Sequence, residues 1–178
     1  MKIMVPNVRL AFHALWRPAN FNGESTGKYS ATFLIDKTSQ AEVVAKIQAA
    51  IAEAVKNDLK GAKLPPDKLC LRDGDESEYD GFDGHWSLKA SNSTRPLVLN
   101  RDRSPVTEAD GVVYAGCYVN ALVNTWSQDN QWGRRINANL LGIQFVRDGE
   151  PFGDGGRIAK QDEFSVIEEG NADELFGG

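Results

Sequence analysis

The 178-residue chain is 41% hydrophobic and 25% charged, with a net charge of −5, and these values are ordinary for one soluble globular domain. No apolar run approaches the roughly 18 residues of a membrane span, and the N-terminus is too short and too alternating for a signal peptide. Cys70 and Cys117 lie far apart in apolar contexts. We therefore expect reduced, structural thiols in a cytoplasmic protein that does not associate with membranes.

The acidic residues are concentrated in two segments. Residues 73–83 and residues 161–178 each contain six Asp or Glu and no Lys or Arg. Without these segments, 20 basic residues face 13 acidic ones, so the rest of the chain carries a charge of +7. This asymmetry predicts a basic folded domain over residues 1–160 and a flexible acidic tail over residues 161–178.

Alternation of hydrophobic and polar residues predicts most of the strands. In the first strand, Leu10 and Phe12 are expected on the same buried face. Near the end of the chain, two long apolar runs around a turn-rich linker are typical of a β-hairpin. The predicted strands cover residues 3–15, 28–35, 86–90, 96–99, 112–123 and 134–147, and the last two form the hairpin.

One helix is predicted, over residues 39–60. Its apolar residues recur at helical spacing, Ser39 and Glu42 match a capping box, and Gly61 follows the last turn. Strands and helix together favour a mainly β fold with one inserted helix. We expect an OB-fold-like antiparallel β-barrel with long loops and a disordered acidic C-terminal tail. A β-sandwich with one helix is the alternative.

Basic and aromatic residues recur together outside the acidic segments. In the second hairpin strand, Arg135, Asn137 and Asn139 alternate with apolar positions, so they face solvent or a ligand. Rings that stack bases beside cations that neutralise phosphates are the usual means of holding single-stranded DNA. The alternative is that the tryptophans anchor the hairpin to the core. The candidate DNA-binding residues are Trp16, Arg17, Lys28, Tyr29, Trp86, Lys89, Arg95, Arg101, Arg103, Tyr118, Trp126, Trp132, Arg134 and Arg135.

The sequence contains no enzyme signature. The acidic segment fails as a calcium loop, because Glu78 stands where a glycine is needed and Gly84 where a glutamate is needed. His13 and His85 lie near no nucleophile motif, and no phosphate-binding glycine loop is present. We therefore expect no catalytic residues, no metal and no cofactor. Two other hypotheses remain: a virion structural or assembly protein, and a metal-dependent nuclease that uses the acidic loop.

The predicted tail ends in a hydrophobic–aromatic pair. Such a segment can cover a basic groove in competition with DNA, and it can offer its aromatic ring to pockets on partner proteins. We expect both effects, with replication or recombination proteins as partners. A homodimer is a further expectation, because an exposed sheet edge needs covering. The candidate partner-binding residues are Glu168, Glu169, Asp173, Glu174, Leu175 and Phe176.

Four segments give the chain a resemblance to a known family. They read K-Y-S-A-T-F-L-I-D-K at 28–37, S-N-S-T-R-P-L-V-L at 91–99, Y-A-G-C-Y-V-N-A at 114–121 and L-L-G-I-Q-F-V-R-D-G-E-P-F-G at 140–153. With the tail, they resemble a group of phage-encoded single-stranded DNA-binding proteins with an OB fold. The resemblance implies sequence-independent binding of single-stranded DNA during phage replication or recombination, in the host cell cytoplasm.

Overall fold

The computed structural model describes residues 2–152 and 165–167. This part of the chain forms nine β-strands and one α-helix, joined by loops that include three short 3-10 helices. None of its helices is long and apolar enough to cross a membrane. The elements are β1 (Lys2–Ala14), β2 (Asn20–Phe21), β3 (Glu24–Ser25), β4 (Tyr29–Asp36), α1 (Ala41–Asp58), β5 (Leu71–Asp73), β6 (His85–Asn92), β7 (Leu97–Leu99), β8 (Tyr118–Asn130) and β9 (Gly133–Arg147).

Five of the strands form a closed barrel. β1 pairs antiparallel with β4 on one side and with β8 on the other, β4 continues to β6, and β8 continues to β9. The barrel closes where β6 and β9 run parallel, with Ser91 opposite Asn139. β5 and β7 extend the sheet along β6 and β9. The mainly β, OB-type barrel with one helix is therefore confirmed, and the β-sandwich alternative is wrong.

The barrel interior is filled by alternate residues of its strands. Phe33 and Ile35 of β4, Leu88 of β6 and Leu140 of β9 have no exposed surface, as the period of two predicts. Four buried residues of α1 join the same core. The intervening strand residues point outward, where they can meet solvent or a ligand.

The helix α1 is two residues shorter at each end than the predicted helix. The expected capping box of Ser39 and Glu42 is wrong, because the helix starts later and Gln40, at its N-cap, makes no side-chain capping bond. The N–H of Ser39 instead donates to the carboxylate of Asp36 at 2.8 Å. Gly61 follows the helix in the left-handed conformation, with φ of 72°, which agrees with its predicted role at the C-terminus.

The hairpin starts later and has a tighter turn than the sequence predicts. β8 begins at Tyr118 and continues to Asn130, so residues 131–132 alone form the turn. Residues 112–117 form no strand, because the chain turns at Gly116, which has φ of 115° and lies against the backbone of Glu150. Trp126 therefore lies within a strand and not in the turn.

Candidate nucleic-acid interface

A groove runs across the outer face of β4, β6 and β9. Two adjoining clefts of about 420 and 200 Å³ form it, and Cys70, Arg72 and Lys89 line both. Its floor contains short polar side chains, including Thr32 of β4, which lies opposite Lys89, and Ser91 of β6. Because these side chains are short, the sheet surface stays open between the larger residues at the two ends of the groove.

Three aromatic rings form one end of the groove, which we call the aromatic corner. Phe12 and Tyr79 meet edge to face with ring centroids 4.9 Å apart, and they are 47% and 62% exposed. Phe82 is only 4% exposed and lies 5.8 Å from the ring of Phe12 and 5.3 Å from that of Tyr79. Two exposed rings held by a buried third can stack a planar ligand such as a nucleobase.

Phe12 reaches the aromatic corner because of a β-bulge in β1. The register shifts between Leu10, which lies opposite Phe33, and Phe12, which lies opposite Thr32. Leu10 and Ala11 are both buried, and Phe12 turns outward. The prediction that Phe12 shares a buried face with Leu10 is wrong, because one extra residue in a strand reverses the alternation that follows it.

Cations line the rest of the groove. Arg72 projects from β5, Lys89 from β6 and Arg135 from β9. The guanidinium of Arg72 donates to the backbone carbonyls of Asp67 at 2.7 Å and Leu69 at 3.2 Å, which fixes its position. Within residues 2–152 and 165–167, no carboxylate lies within ion-pair distance of these three cations. Their positive charge is therefore available to an anionic ligand.

Carboxylates gather at the corner end of the groove. Asp67 and Glu76 line it there. Asp73 and Asp75 accept hydrogen bonds from the ammonium of Lys37 at 2.5 and 2.6 Å. Lys37 holds the pKa of both carboxyls below its usual range, and the same bonds raise the pKa of Lys37. Phosphates are therefore favoured along the cations of the sheet and disfavoured beside the acidic edge.

Neither the acidic loop nor the cysteines provide a reactive centre in the described residues. No group of three or more His, Cys, Asp or Glu that could hold a metal lies among residues 2–152 and 165–167. The bonds from Lys37 occupy Asp73 and Asp75, two of the carboxylates that the nuclease hypothesis needs. Cys70 and Cys117 are unbridged and buried. Burial raises the pKa of the Cys70 thiol to about 11, so this thiol stays protonated at neutral pH.

Three of the candidate DNA-binding residues lie in or beside the groove. Lys89 and Arg135 line it directly. Trp126 is paired with Asn137, a groove residue of β9, and the two occupy the same face of the hairpin. Trp126 is 39% exposed and also lines a small cleft against Asn57 of α1. It therefore lies at the margin of the groove, between the hairpin and the helix.

The tip of the hairpin carries two more candidates. Trp132 is 74% exposed, and its backbone N–H donates to the side chain of Asn130 at 2.9 Å. Arg134 lies 3.5 Å from the carboxylate of Asp129 in the facing strand. The tip therefore offers an exposed ring beside a cation that already has an exposed ionic partner.

The remaining candidates lie outside the groove. Trp16 and Trp86 pack against the hydrophobic core. Arg17 binds the carboxylate of Glu108 through two hydrogen bonds, at 2.7 and 2.9 Å, and Glu108 raises its pKa. The structure also places the following candidates away from the two clefts: Lys28, Tyr29, Arg95, Arg101, Arg103 and Tyr118.

Tyr118 lies on the same strand as Trp126 but far from the groove. It lies eight residues from Trp126 along β8, which corresponds to about 26 Å in an extended strand. Its ring contacts the guanidinium of Arg147, whose central carbon is 3.6 Å from the ring centroid. Tyr118 and Trp126 therefore belong to opposite ends of the strand.

The sequence prediction missed four residues that the groove uses. Phe12 carries no sequence signal, because the bulge that exposes it is not visible in the pattern. Tyr79 could have been found, since Tyr79 and Phe82 are the two aromatic residues within an acidic, glycine-bearing loop. Arg72 and Lys68 flank a short apolar run and precede the acidic loop. Their relation to the groove depends on the pairing of β5 with β6.

The predicted tail lies almost entirely outside the described residues. Only residues 165–167 are described, and they are exposed and have no regular secondary structure. The six candidate partner-binding residues, from Glu168 to Phe176, all lie outside. The described body ends at Phe152, whose ring packs with Leu34 and Phe82 and closely approaches Gly81. Phe152, the last residue described before the gap, therefore lies next to the aromatic corner.

Comparison with known proteins gives the chain its family. A family model described as the single-stranded DNA-binding protein of Enterobacter phage Enc34 matches residues 1–176. The chain belongs to this family. The resemblance noted in the sequence is thereby confirmed. The family is one of binding proteins and not of enzymes, as the sequence predicts.

Individual relatives agree with the family match. Protein p50 of Acyrthosiphon pisum secondary endosymbiont phage 1 is 41% identical to the chain over an alignment that covers 99% of each. The bacteriophage Enc34 single-stranded DNA-binding protein, solved in complex with single-stranded DNA, is 38% identical, with a TM-score of 0.77 over 85% of this chain and 89% of that one. Bacteriophage T7 gp2.5 shares the fold, with a TM-score of 0.52 at 11% identity over 90% of this chain and 98% of that one.

Proposed function

We propose that the chain binds single-stranded DNA without regard to sequence, through the groove that begins at the aromatic corner. The observation that carries this proposal is the alignment of two exposed rings, Phe12 and Tyr79, with three cations that have no carboxylate partner in the described residues. The family match and the solved complex of the Enc34 relative with single-stranded DNA support the same class of ligand.

The charge distribution favours one orientation of the bound DNA strand within the groove. Phosphates follow Lys89, Arg72 and Arg135 across the sheet, because the carboxylates at the opposite edge repel them. The bases then face Phe12 and Tyr79. Each stacked base contributes about 1–3 kcal/mol. Stacking and phosphate contacts use features that every nucleotide shares, which supports binding without sequence preference.

The proposed role is protection of single-stranded DNA during phage replication or recombination, in the cytoplasm of the host. The acidic tail adds regulation, because its carboxylates compete with DNA phosphates for the groove. The position of Phe152 beside Phe82 supports this part of the proposal. The 26 residues that follow Phe152 would span about 90 Å if fully extended, which is ample to return over the groove. Leu175 and Phe176 of the tail are proposed to recruit replication or recombination proteins.

Fluorescence anisotropy with a labelled oligo-dT, measured across a salt series, tests the proposal. The full chain is compared with a truncation that ends at residue 160. We expect both to bind, with log K falling by about 0.7 per phosphate contact for each unit of log salt, and we expect the truncation to bind more tightly.

The outcomes separate the two parts of the proposal. Equal affinity of the full chain and the truncation would contradict the competing role of the tail but leave the proposed groove intact. Failure of both to bind at low salt would show that the groove is not a DNA site, and the virion assembly hypothesis would take its place.

A further inference from the structure

The acidic loop of residues 74–84, which joins β5 to β6, forms part of the aromatic corner of the groove. Tyr79 lies in this loop, beyond the 3-10 helix Gly74–Glu76, in a segment without regular secondary structure. Its ring is nevertheless fixed against Phe12 and Phe82. A loop with so many like charges would repel itself, so the interactions that fold it must be specific ones.

Lys37 and two carboxylates tie both ends of the loop to the barrel. One carboxylate oxygen of Asp75 accepts a hydrogen bond from the ammonium of Lys37 at 2.6 Å, and the other accepts one from the backbone N–H of Gly84 at 2.7 Å. Asp73 accepts the same ammonium at 2.5 Å and the N–H of Asp75 at 2.9 Å. The backbone N–H of Lys37 also donates to the carbonyl of Gly84 at 3.0 Å. The loop is thus closed at its base, on the residue that directly follows β4.

Close packing inside the loop leaves little room for another arrangement. A Cβ on Gly74 would lie 2.1 Å from the carbonyl oxygen of Phe82 and 2.4 Å from that of His85. Phe82 in turn is buried against Ala11 and Leu34 on the outer face of the sheet. The two anchors, one ionic at the base and one apolar at Phe82, leave Tyr79 between them at the edge of the groove.

We propose that Lys37, Asp73 and Asp75 act as a clamp that positions Tyr79 for base stacking, and that this is the role of the acidic loop in DNA binding. The inference rests on the proposed function of the groove. Lys37 is a positioning residue here and not a phosphate contact, because its ammonium is bound to two carboxylates and lies 5.3 Å from the centroid of Trp86. Removal of the clamp is therefore expected to change the affinity for DNA through the position of Tyr79.

A pair of charge-matched variants separates the clamp from simple electrostatics. Asp73→Ala/Asp75→Ala removes the clamp and two negative charges. Asp67→Ala/Glu76→Ala removes the same charge from the same end of the groove without touching Lys37. If charge alone matters, both variants bind oligo-dT more tightly. If the clamp positions Tyr79, the control should bind more tightly, whereas Asp73→Ala/Asp75→Ala should bind about threefold to tenfold more weakly. This loss corresponds to part of the stacking free energy of one base.

A double-mutant cycle with Tyr79 adds a readout that a general structural defect would not produce. In a Tyr79→Ala background, the clamp substitutions should no longer weaken binding, because the ring that they position is absent. An unchanged loss of affinity in this background would overturn the proposal. So would clamp variants that bind as tightly as the charge-matched control.

Hydrogen exchange tests the clamp without DNA. We expect faster exchange over residues 74–84 in Asp73→Ala/Asp75→Ala, including the amide of Gly84, and unchanged protection in the barrel strands. Unchanged exchange in the loop would contradict the clamp. If the native chain failed to bind oligo-dT, the proposed function would fail, while this measurement would still decide whether the carboxylates hold the loop.

Discussion

The aromatic corner of the groove and the tip of the β8–β9 hairpin are built on different principles. At the aromatic corner, Phe12 and Tyr79 come from distant parts of the chain and rest on the buried ring of Phe82. At the hairpin tip, outside the two clefts of the groove, Trp132 is 74% exposed. β1 pairs with β8 only as far as Asn124, and residues 129–132 at the tip of the hairpin are all exposed.

This difference bears on where the binding energy comes from. A ring that is already fixed by its neighbours loses little conformational freedom when a base stacks on it, whereas a ring at a projecting tip must be ordered on binding. We therefore expect the corner to supply most of the stacking energy. The hairpin is expected to supply charge through Arg135 and a smaller, more adaptable contact through Trp132.

The largest expected effect comes from removing both corner rings. Phe12→Ala/Tyr79→Ala should weaken oligo-dT binding by about 100-fold or more, since each stacked base contributes about 1–3 kcal/mol. Thermal unfolding should change much less than DNA binding, because neither ring belongs to the buried core. Anisotropy at fixed salt measures the loss, and a reduction of less than threefold would show that the corner is not the stacking site.

An intermediate effect is expected from the groove cations. Lys89→Gln and Arg135→Gln should each reduce the salt dependence of log K by about 0.7, because each removes one phosphate contact. Arg17→Gln is the matched control, since Arg17 is bound to Glu108 outside the groove. A control slope that fell as much as the other two would mean that general charge, and not the groove, attracts the DNA.

A smaller effect is expected at the hairpin tip. Trp132→Ala should weaken binding by about threefold, less than either Phe12→Ala or Tyr79→Ala. The exposed ring of Trp132 must be ordered when a base stacks on it, and this entropy loss offsets part of the stacking energy. The three single variants are compared in one titration series. If Trp132→Ala lost as much affinity as Tyr79→Ala, the aromatic corner would not supply more stacking energy than the hairpin tip.

The smallest predicted effect concerns stability and pH. His13 is mostly buried, its Nδ1 has no hydrogen-bond partner in the described residues, and burial lowers its pKa from 6.5. Below pH 6.5 the unfolded state therefore binds a proton that the folded state does not. The free energy of unfolding should fall as the pH drops below 6.5, until the lower folded pKa is passed.

Denaturant unfolding of the native chain and His13→Gln, each at pH 7 and pH 5, measures this effect. The native chain should lose more stability than the variant between these two pH values. An equal pH dependence in both proteins would show that His13 is not the group responsible.

The barrel could be predicted from the sequence because its signals are local. Alternation located β4 and β9 within one or two residues, and the apolar stripe located α1 within two residues at each end. The hairpin boundary was missed at Tyr118, where a turn at Gly116 interrupts an apolar run. Such a turn depends on contact with the backbone of Glu150, which is distant in sequence.

The site was harder to predict because its parts are not local. Arg135 lies in a clear alternating strand, and Lys89 belongs to the same predicted set of basic residues. Both line the groove, and their contact with DNA stays a prediction. Phe12 depended on a bulge, and Tyr79 on a loop held in place by Lys37 from a different part of the chain. Trp16 and Trp86 lie near basic residues in the sequence, but in the structure they pack against the core, and their assignment as DNA contacts stays a prediction.

Photo-cross-linking with an oligo-dT that carries 5-iodouracil identifies the rings that contact the bases, because the cross-link forms with the ring on which the base stacks. The cross-linked peptides of the full-length chain are then identified by mass spectrometry. Stacking at the aromatic corner predicts cross-links at Phe12 and Tyr79, with weaker ones at Trp132. Cross-links confined to the hairpin, or to Trp16 and Tyr118 on other faces of the barrel, would contradict it.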